Sequence, residues 1–173
     1  MHVATVPTRF PDDLIPDEAD VLQRVAAMPV DLPSMAAVAN IWRAAQAARA
    51  YLEREVLRPR DLSWAGFSLL FNLWVWGSME TREVARSMGC ARPTVTGVAA
   101  TLGRRGLVER HADLDDRRLA RLELTAAGRR EIEGVFPAFN QGESALTHDL
   151  DDAEKAALAG LLRRVVRTSG EAG

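Results

Sequence analysis

Cysteine, lysine and tyrosine each occur once in the 173 residues, as Cys90, Lys155 and Tyr51. One cysteine excludes an intrachain disulfide framework and a cysteine-based zinc cluster. Long apolar runs are also missing. The longest, Trp64 to Gly77, is interrupted by Ser68 and Asn72 and falls short of the ~20 residues that span a bilayer. The chain opens with Pro7, Pro11, Asp12 and Asp13 where a signal peptide would be apolar, so a cytoplasmic protein is expected. Histidine stands only at positions 2, 111 and 148, and no His-Glu-x-x-His, Gly-x-x-x-x-Gly-Lys or Gly-x-Gly-x-x-Gly motif occurs. Without these groups no enzyme, metal or cofactor is expected. What remains is 47% apolar and 27% charged, the balance of an ordinary globular chain rather than a disordered one.

The net charge of −2 hides an uneven distribution. Residues 80–130 hold eleven arginines against seven acids, whereas 1–79 and 131–173 are both net acidic. A basic centre between acidic flanks directs attention to the middle of the chain.

Residues 1–30 hold four prolines and an acidic cluster from Asp12 to Asp20. This reads as an extension, part tail and part short helix starting at Pro16 or Asp17 and burying Val21, Leu22, Val25 and Met28. From Pro33 to Leu57 the positions Met35, Val38, Trp42, Ala45, Leu52 and Val56 recur at helical spacing, interrupted by Arg49, and Pro59 stops the helix. A second helix over Ser63 to Trp76 carries Phe67, Leu70, Phe71, Trp74 and Val75 on its stripe, and Gly77-Ser78 closes it. A third, Glu80 to Met88, buries Val84, Ala85 and Met88 and ends at Gly89. The fourth begins at Pro93, buries Val95, Val98, Ala99 and Leu102, and ends at Gly106.

The period then changes to two. Leu107 to His111 and Leu119 to Leu124 read as paired strands around a charged tip, Ala112 to Arg117. Thr125 caps a long helix that Gly134, Pro137 and Gly142 are expected to kink or interrupt. Asp151 and Glu154 form a capping box for a last helix burying Leu158, Leu161, Leu162 and Val165. The fold expected is mainly α with a small β-hairpin: two short helices, a glycine turn and a hairpin make a winged helix-turn-helix. The fourth helix presents Pro93, Thr96, Gly97, Ala100, Thr101 and Arg104 outward. Side chains this small let a helix seat deeply in a major groove ~12 Å wide. Arg117 and Arg118 at the tip suit phosphate or a narrow minor groove.

The stretches METREVARSMGCARPTVTGVAATLGRRGLVER and DLDDRRLARLELTAAG, within Leu62 to about Gly128, resemble the multiple-antibiotic-resistance regulator (MarR) family of dimeric winged-helix repressors. The resemblance implies that Thr94, Val95 and Thr96 open the recognition helix, that Arg117 enters the minor groove, that Asp116 orients a wing arginine, and that Arg118 braces the wing or meets backbone. With Arg92 and Arg104, these form the expected DNA-binding set. It further implies a homodimer on a palindromic operator, and often a small-molecule effector. The implied organisation is an extension (1–30), a first dimerisation helix (31–61), the DNA-binding lobe (62–125) and C-terminal dimerisation helices (126–168). Pro93 departs from the family, so that Arg92 falls at the N-cap. Gly97, Ala100, Thr101 and Gly103 stand where the family often has charged or polar residues, leaving the recognition face nearly uncharged.

Other residues keep two readings. Cys90 is a buried hydrophobe or a redox thiol, and Arg104 and Arg105 are dipole partners at a helix end or phosphate ligands. Trp42, Arg49, Trp64, Phe67, Phe71 and Trp76 are core or the wall of a candidate pocket for an aromatic or phenolic effector, with Arg49 suggesting a carboxylate. The extension resembles that of the urate-responsive subgroup. However, its helix lacks tryptophan and Ser68 occupies the expected aspartate position, which disfavours urate. The competing function is a winged-helix dimer that has become a ligand-binding or protein-interaction module without specific DNA binding.

Overall fold

The computed structural model describes residues 14–112 and 120–171. Two compact units divide the chain at Ala47/Ala48, inside the expected 31–61 segment. In the first unit, α1 (Pro16–Val25) starts on proline, with Asp17 and Glu18 in its first turn, where acids complement the helix dipole. Of the four apolar residues expected inside, only Leu22 is buried; Val21 and Met28 are exposed. The position missed is Glu18, buried with its Oε1 accepting from Asn40 Nδ2 at 2.8 Å. Helix α2 (Leu32–Leu52) begins on an acidic cap: Asp31 accepts from the Ser34 N–H at 3.1 Å and its hydroxyl at 2.7 Å. These bonds hold the Asp31 carboxyl below its ordinary pKa. Val38 and Trp42, on the expected stripe, are 63% and 68% exposed.

The second unit starts within α2, which does not run on to Leu57. It widens into a π turn (Glu53–Leu57) and tightens into a 3₁₀ turn (Arg58–Arg60). Pro59 lacks an N–H and would crowd the carbonyl four residues back, so a regular helix cannot continue. The altered pitch seats Leu52, Val56 and Leu57 together in the core. Asp61 then reverses the chain at φ 53°. Ser63 caps α3 (Trp64–Trp76), its Oγ accepting from the Gly66 N–H at 3.0 Å. Helix α3 is the centre of the unit. Phe67 and Leu70 are buried as its stripe implies, but so are Leu69 and Leu73, while Val75 is exposed. A helix wrapped on more than one side loses the clean single stripe that periodicity assumes.

Gly77, at φ 73°, leads into strand β1 (Met79–Glu80), too short to show a period. Helix α4 (Thr81–Ser87) follows; Glu80 and Glu83 make a reciprocal capping box, and Val84 and Ala85 are buried. After a turn at Gly89 (φ 60°) comes α5 (Arg92–Arg104). Strands β2 (Val108–Ala112) and β3 (Ala120–Leu124) pair antiparallel, Arg110 opposite Leu122, and β1 adds to the free side of β3 in the order β1-β3-β2.

Helix α6 (Ala126–Leu146) is continuous through Gly134, Pro137 and Gly142, so of the expected kink or interruption there is no interruption. Burial of Ile132, Val135 and Phe139 on both sides of Pro137 outweighs the ~3 kcal/mol a helix-interior proline costs. Gly142 is a contact point rather than a break: a Cβ there would lie 2.6 Å from Leu52 Cδ2. Before α7 (Asp152–Glu171) the Asp151 N–H donates to Glu154 Oε2 at 2.9 Å and the Glu154 N–H to Asp151 Oδ1 at 2.8 Å. The stripe of α7 is not buried: Leu158, Leu161, Leu162 and Val165 are exposed within the single chain. Periodicity shows that a face needs cover, but not that its own chain provides it. No helix among the described residues is long and apolar enough to cross a membrane.

Candidate nucleic-acid interface

Helix α5 is anchored from beneath by Val95 and Leu102, with Val98 and Ala99 half-buried. On the opposite face Arg92, Pro93, Thr94, Thr96, Gly97, Ala100, Thr101 and Arg104 are all exposed. Space above Gly97 is open, with nothing within 4 Å of where a Cβ would be. Ala91, not Arg92, is the N-cap and makes no side-chain bond. Pro93 fits the first turn because it has no N–H there to satisfy.

The hydroxyls of Thr96 and Thr101 bond the carbonyls of their own helix while remaining exposed. Thr96 Oγ1 donates to the Arg92 carbonyl and Thr101 Oγ1 to the Gly97 carbonyl, both at 3.1 Å. Arg104 Nη2 in turn donates to Thr101 Oγ1 at 3.1 Å. With their protons engaged in this way, the hydroxyls face a ligand as acceptors. Such groups match a cytosine or adenine amino group, and a threonine methyl matches thymine. Arg105, next to Arg104, points elsewhere: its Nη1 donates to the Asp61 carbonyl at 2.5 Å. The hairpin-tip residues Asp116, Arg117 and Arg118 lie outside the described residues.

Of the six candidate pocket residues, five belong to the second unit and three of those share a cavity. Trp64, Phe67 and Phe71 line one cavity of about 340 Å³ with Asn72, Phe136 and Phe139. Phe67 stacks on Phe139 at 4.1 Å between ring centroids, and Phe71 on Phe136 at 5.6 Å. Arg49 lies outside that lining. Its guanidinium sits 5.7 Å over the Trp64 ring and 4.0 Å from Glu53. Trp76 lines a separate cleft with Arg86 and Arg121, and Trp42 belongs to the first unit. Phe136 and Phe139 were missed because glycine and proline obscured the continuity of α6. Their spacing from Ile132 and Val135 was the available signal. Asn72 donates through Nδ2 to the Ser68 carbonyl at 2.8 Å, and its Oδ1 has no partner among the described residues. Cys90 is half-buried against the core.

A MarR family model matches residues 62–119. YwaE, an uncharacterised HTH-type transcriptional regulator of Bacillus subtilis, is 38% identical over 86% of this chain and 89% of its own. Bordetella bronchiseptica BpsR, whose DNA binding is regulated by 6-hydroxynicotinic acid, superimposes with a TM-score of 0.69 at 28% identity. That match covers 75% of this chain and 98% of BpsR. Apo MarR of Escherichia coli gives a TM-score of 0.66 at 25% identity over 79% and 96% of the two chains. Helix-turn-helix, three-stranded wing and sequence agree: the chain belongs to the MarR family of winged-helix transcriptional regulators.

Proposed function

We propose that the protein is a repressor that binds a pseudo-palindromic operator as a homodimer, with α5 in the major groove and the wing arginines Arg117 and Arg118 in the minor groove. The observation that carries this reading is the exposed, small-residue face of α5, held from below by Val95 and Leu102. The uncovered stripe of α7 supports a dimer. Two recognition helices related by a two-fold axis reach major grooves about 10 bp apart. A small aromatic ligand, the chemical class of the 6-hydroxynicotinic acid that regulates BpsR, releases the operator by favouring a lobe spacing that no longer fits DNA. The cavity under Trp64, Phe67 and Phe71 is the candidate seat.

Because the recognition face carries little charge, the wing supplies more of the affinity than α5 does. Fluorescence anisotropy with duplexes from the promoter region tests this at two salt concentrations. Arg117→Ala weakens binding more than Thr96→Ala, and binding falls steeply with salt as displaced counterions compete. The reverse order of the two variants would falsify the wing-dominated reading. The nearly uncharged recognition face favours one alternative, a ligand-binding or protein-interaction module without specific DNA binding. Wild-type protein preferring no duplex over random DNA would select it.

A further inference from the structure

Arg105 joins three parts of the DNA-binding unit. It is the C-cap of α5, and its guanidinium turns away from the exposed face of that helix. Nη1 donates to the backbone carbonyl of Asp61 at 2.5 Å, and Nη2 lies 3.8 Å from Glu131 Oε1 on α6. The side chain is only 31% exposed. Asp61 closes the joint between α2 and α3 and is the only non-glycine residue at positive φ among the described residues. That joint is well held: the Asp61 N–H donates to the Arg58 carbonyl and the Leu62 N–H to the Leu57 carbonyl, both at 3.0 Å. Its carbonyl is therefore a fixed acceptor. A planar guanidinium addresses acceptors in two directions at once, which a lysine ammonium on a flexible stem does poorly. The Asp61 carboxylate, by contrast, is 3.9 Å from Nη1 and fully in water, where an ion pair contributes little.

We propose that Arg105 is a positioning residue for DNA binding. It ties the C-terminal end of α5 to the α2–α3 joint and to α6, makes no phosphate contact, and carries displacements of the joint to the recognition helix. The inference rests on the DNA-binding reading, and the test separates the two.

Operator binding by the full chain is measured between about 50 and 300 mM salt for wild type, Arg105→Gln, Arg105→Lys and Asp61→Asn. Amide exchange of the DNA-free proteins is followed in parallel. Arg105→Gln weakens binding about tenfold at every salt concentration, with the slope of log affinity against log salt unchanged. It also speeds exchange at both Leu62 and Leu107, the amides flanking the strut. Arg105→Lys shifts both readouts in the same direction. Asp61→Asn matches wild type, since it keeps the carbonyl and asparagine accepts the left-handed conformation. A slope reduced by about one in Arg105→Gln marks a phosphate ligand and overturns the proposal. So does faster exchange with unchanged affinity, which marks a purely structural contact. If wild type binds no duplex, the DNA-binding reading fails by itself, and equal exchange in Arg105→Gln and wild type then overturns the strut.

Discussion

Gly128 shows how a single atom can outweigh helix propensity. It lies in the first turn of α6, where alanine would ordinarily gain up to ~1 kcal/mol over glycine. A Cβ there would collide with the Leu107 backbone carbonyl, which itself accepts from the Thr125 N–H at 3.1 Å. Backbone cannot swing aside as a long side chain can. Gly128→Ala is therefore expected to destabilise the protein by about 2 kcal/mol or more, read from the midpoint of urea unfolding. Asp31 makes a pH-dependent contribution of the opposite kind. Its carboxyl accepts two bonds from Ser34, which favour the ionised form and lower its pKa on folding. The cap is complete above the unfolded carboxyl's range and fades as pH falls through the lower folded value. Carbon-detected NMR titration should give Asp31 a midpoint below that of Asp31 in a short peptide. Equal midpoints would show that the cap does not form.

Among the elements, α3 and α6 depend on how their ends and contacts are arranged. Ser63 both starts α3 and ends the joint that follows α2, and Glu53 Oε1 accepts a second first-turn bond, from the Trp64 N–H, at 3.3 Å. Ser63→Ala removes one of these acceptors. The expected loss is about 1 kcal/mol, seen as a lower melting temperature, while Ser63→Asp restores most of it. Helix α6 remains whole despite Pro137 because its buried face continues past the proline, and Gly142 lets it approach Leu52 and Val56 closely. Sequence periodicity located both helices but left open an interruption of α6 that does not occur. Proline and glycine report local backbone cost, whereas the favourable packing comes from residues about ninety positions earlier.

At the scale of the whole molecule, α7 presents Leu158, Leu161, Leu162 and Val165 to solvent in the single chain, Leu161 being 56% exposed. A face of this kind on a well-capped helix fits burial against a second copy. Leu161→Asp is expected to shift the protein to monomer in sedimentation velocity and to weaken operator binding by at least an order of magnitude, since one half-site then binds alone. A variant that stays dimeric would place the interface elsewhere.

The amino-acid sequence by itself determined the helix-turn-helix order, the caps at Thr125 and Asp151, and the exposed face of α5. Each of these depends on residues a few positions apart, through hydrogen bonds and a 3.6-residue repeat that local chemistry dictates. The tip residues that most mark the family, Asp116 to Arg118, are read from sequence alone. Only the tertiary structure decided the rest: the π turn before Pro59, the short β1 completing the wing, the aromatic cavity closed by Phe136 and Phe139, and the turn of Arg105 towards Asp61 instead of outward like Arg104. These depend on pairs such as Asp61 and Arg105, forty-four positions apart. The energy of such a pair exists only once the chain between them has folded, so no local repeat records it.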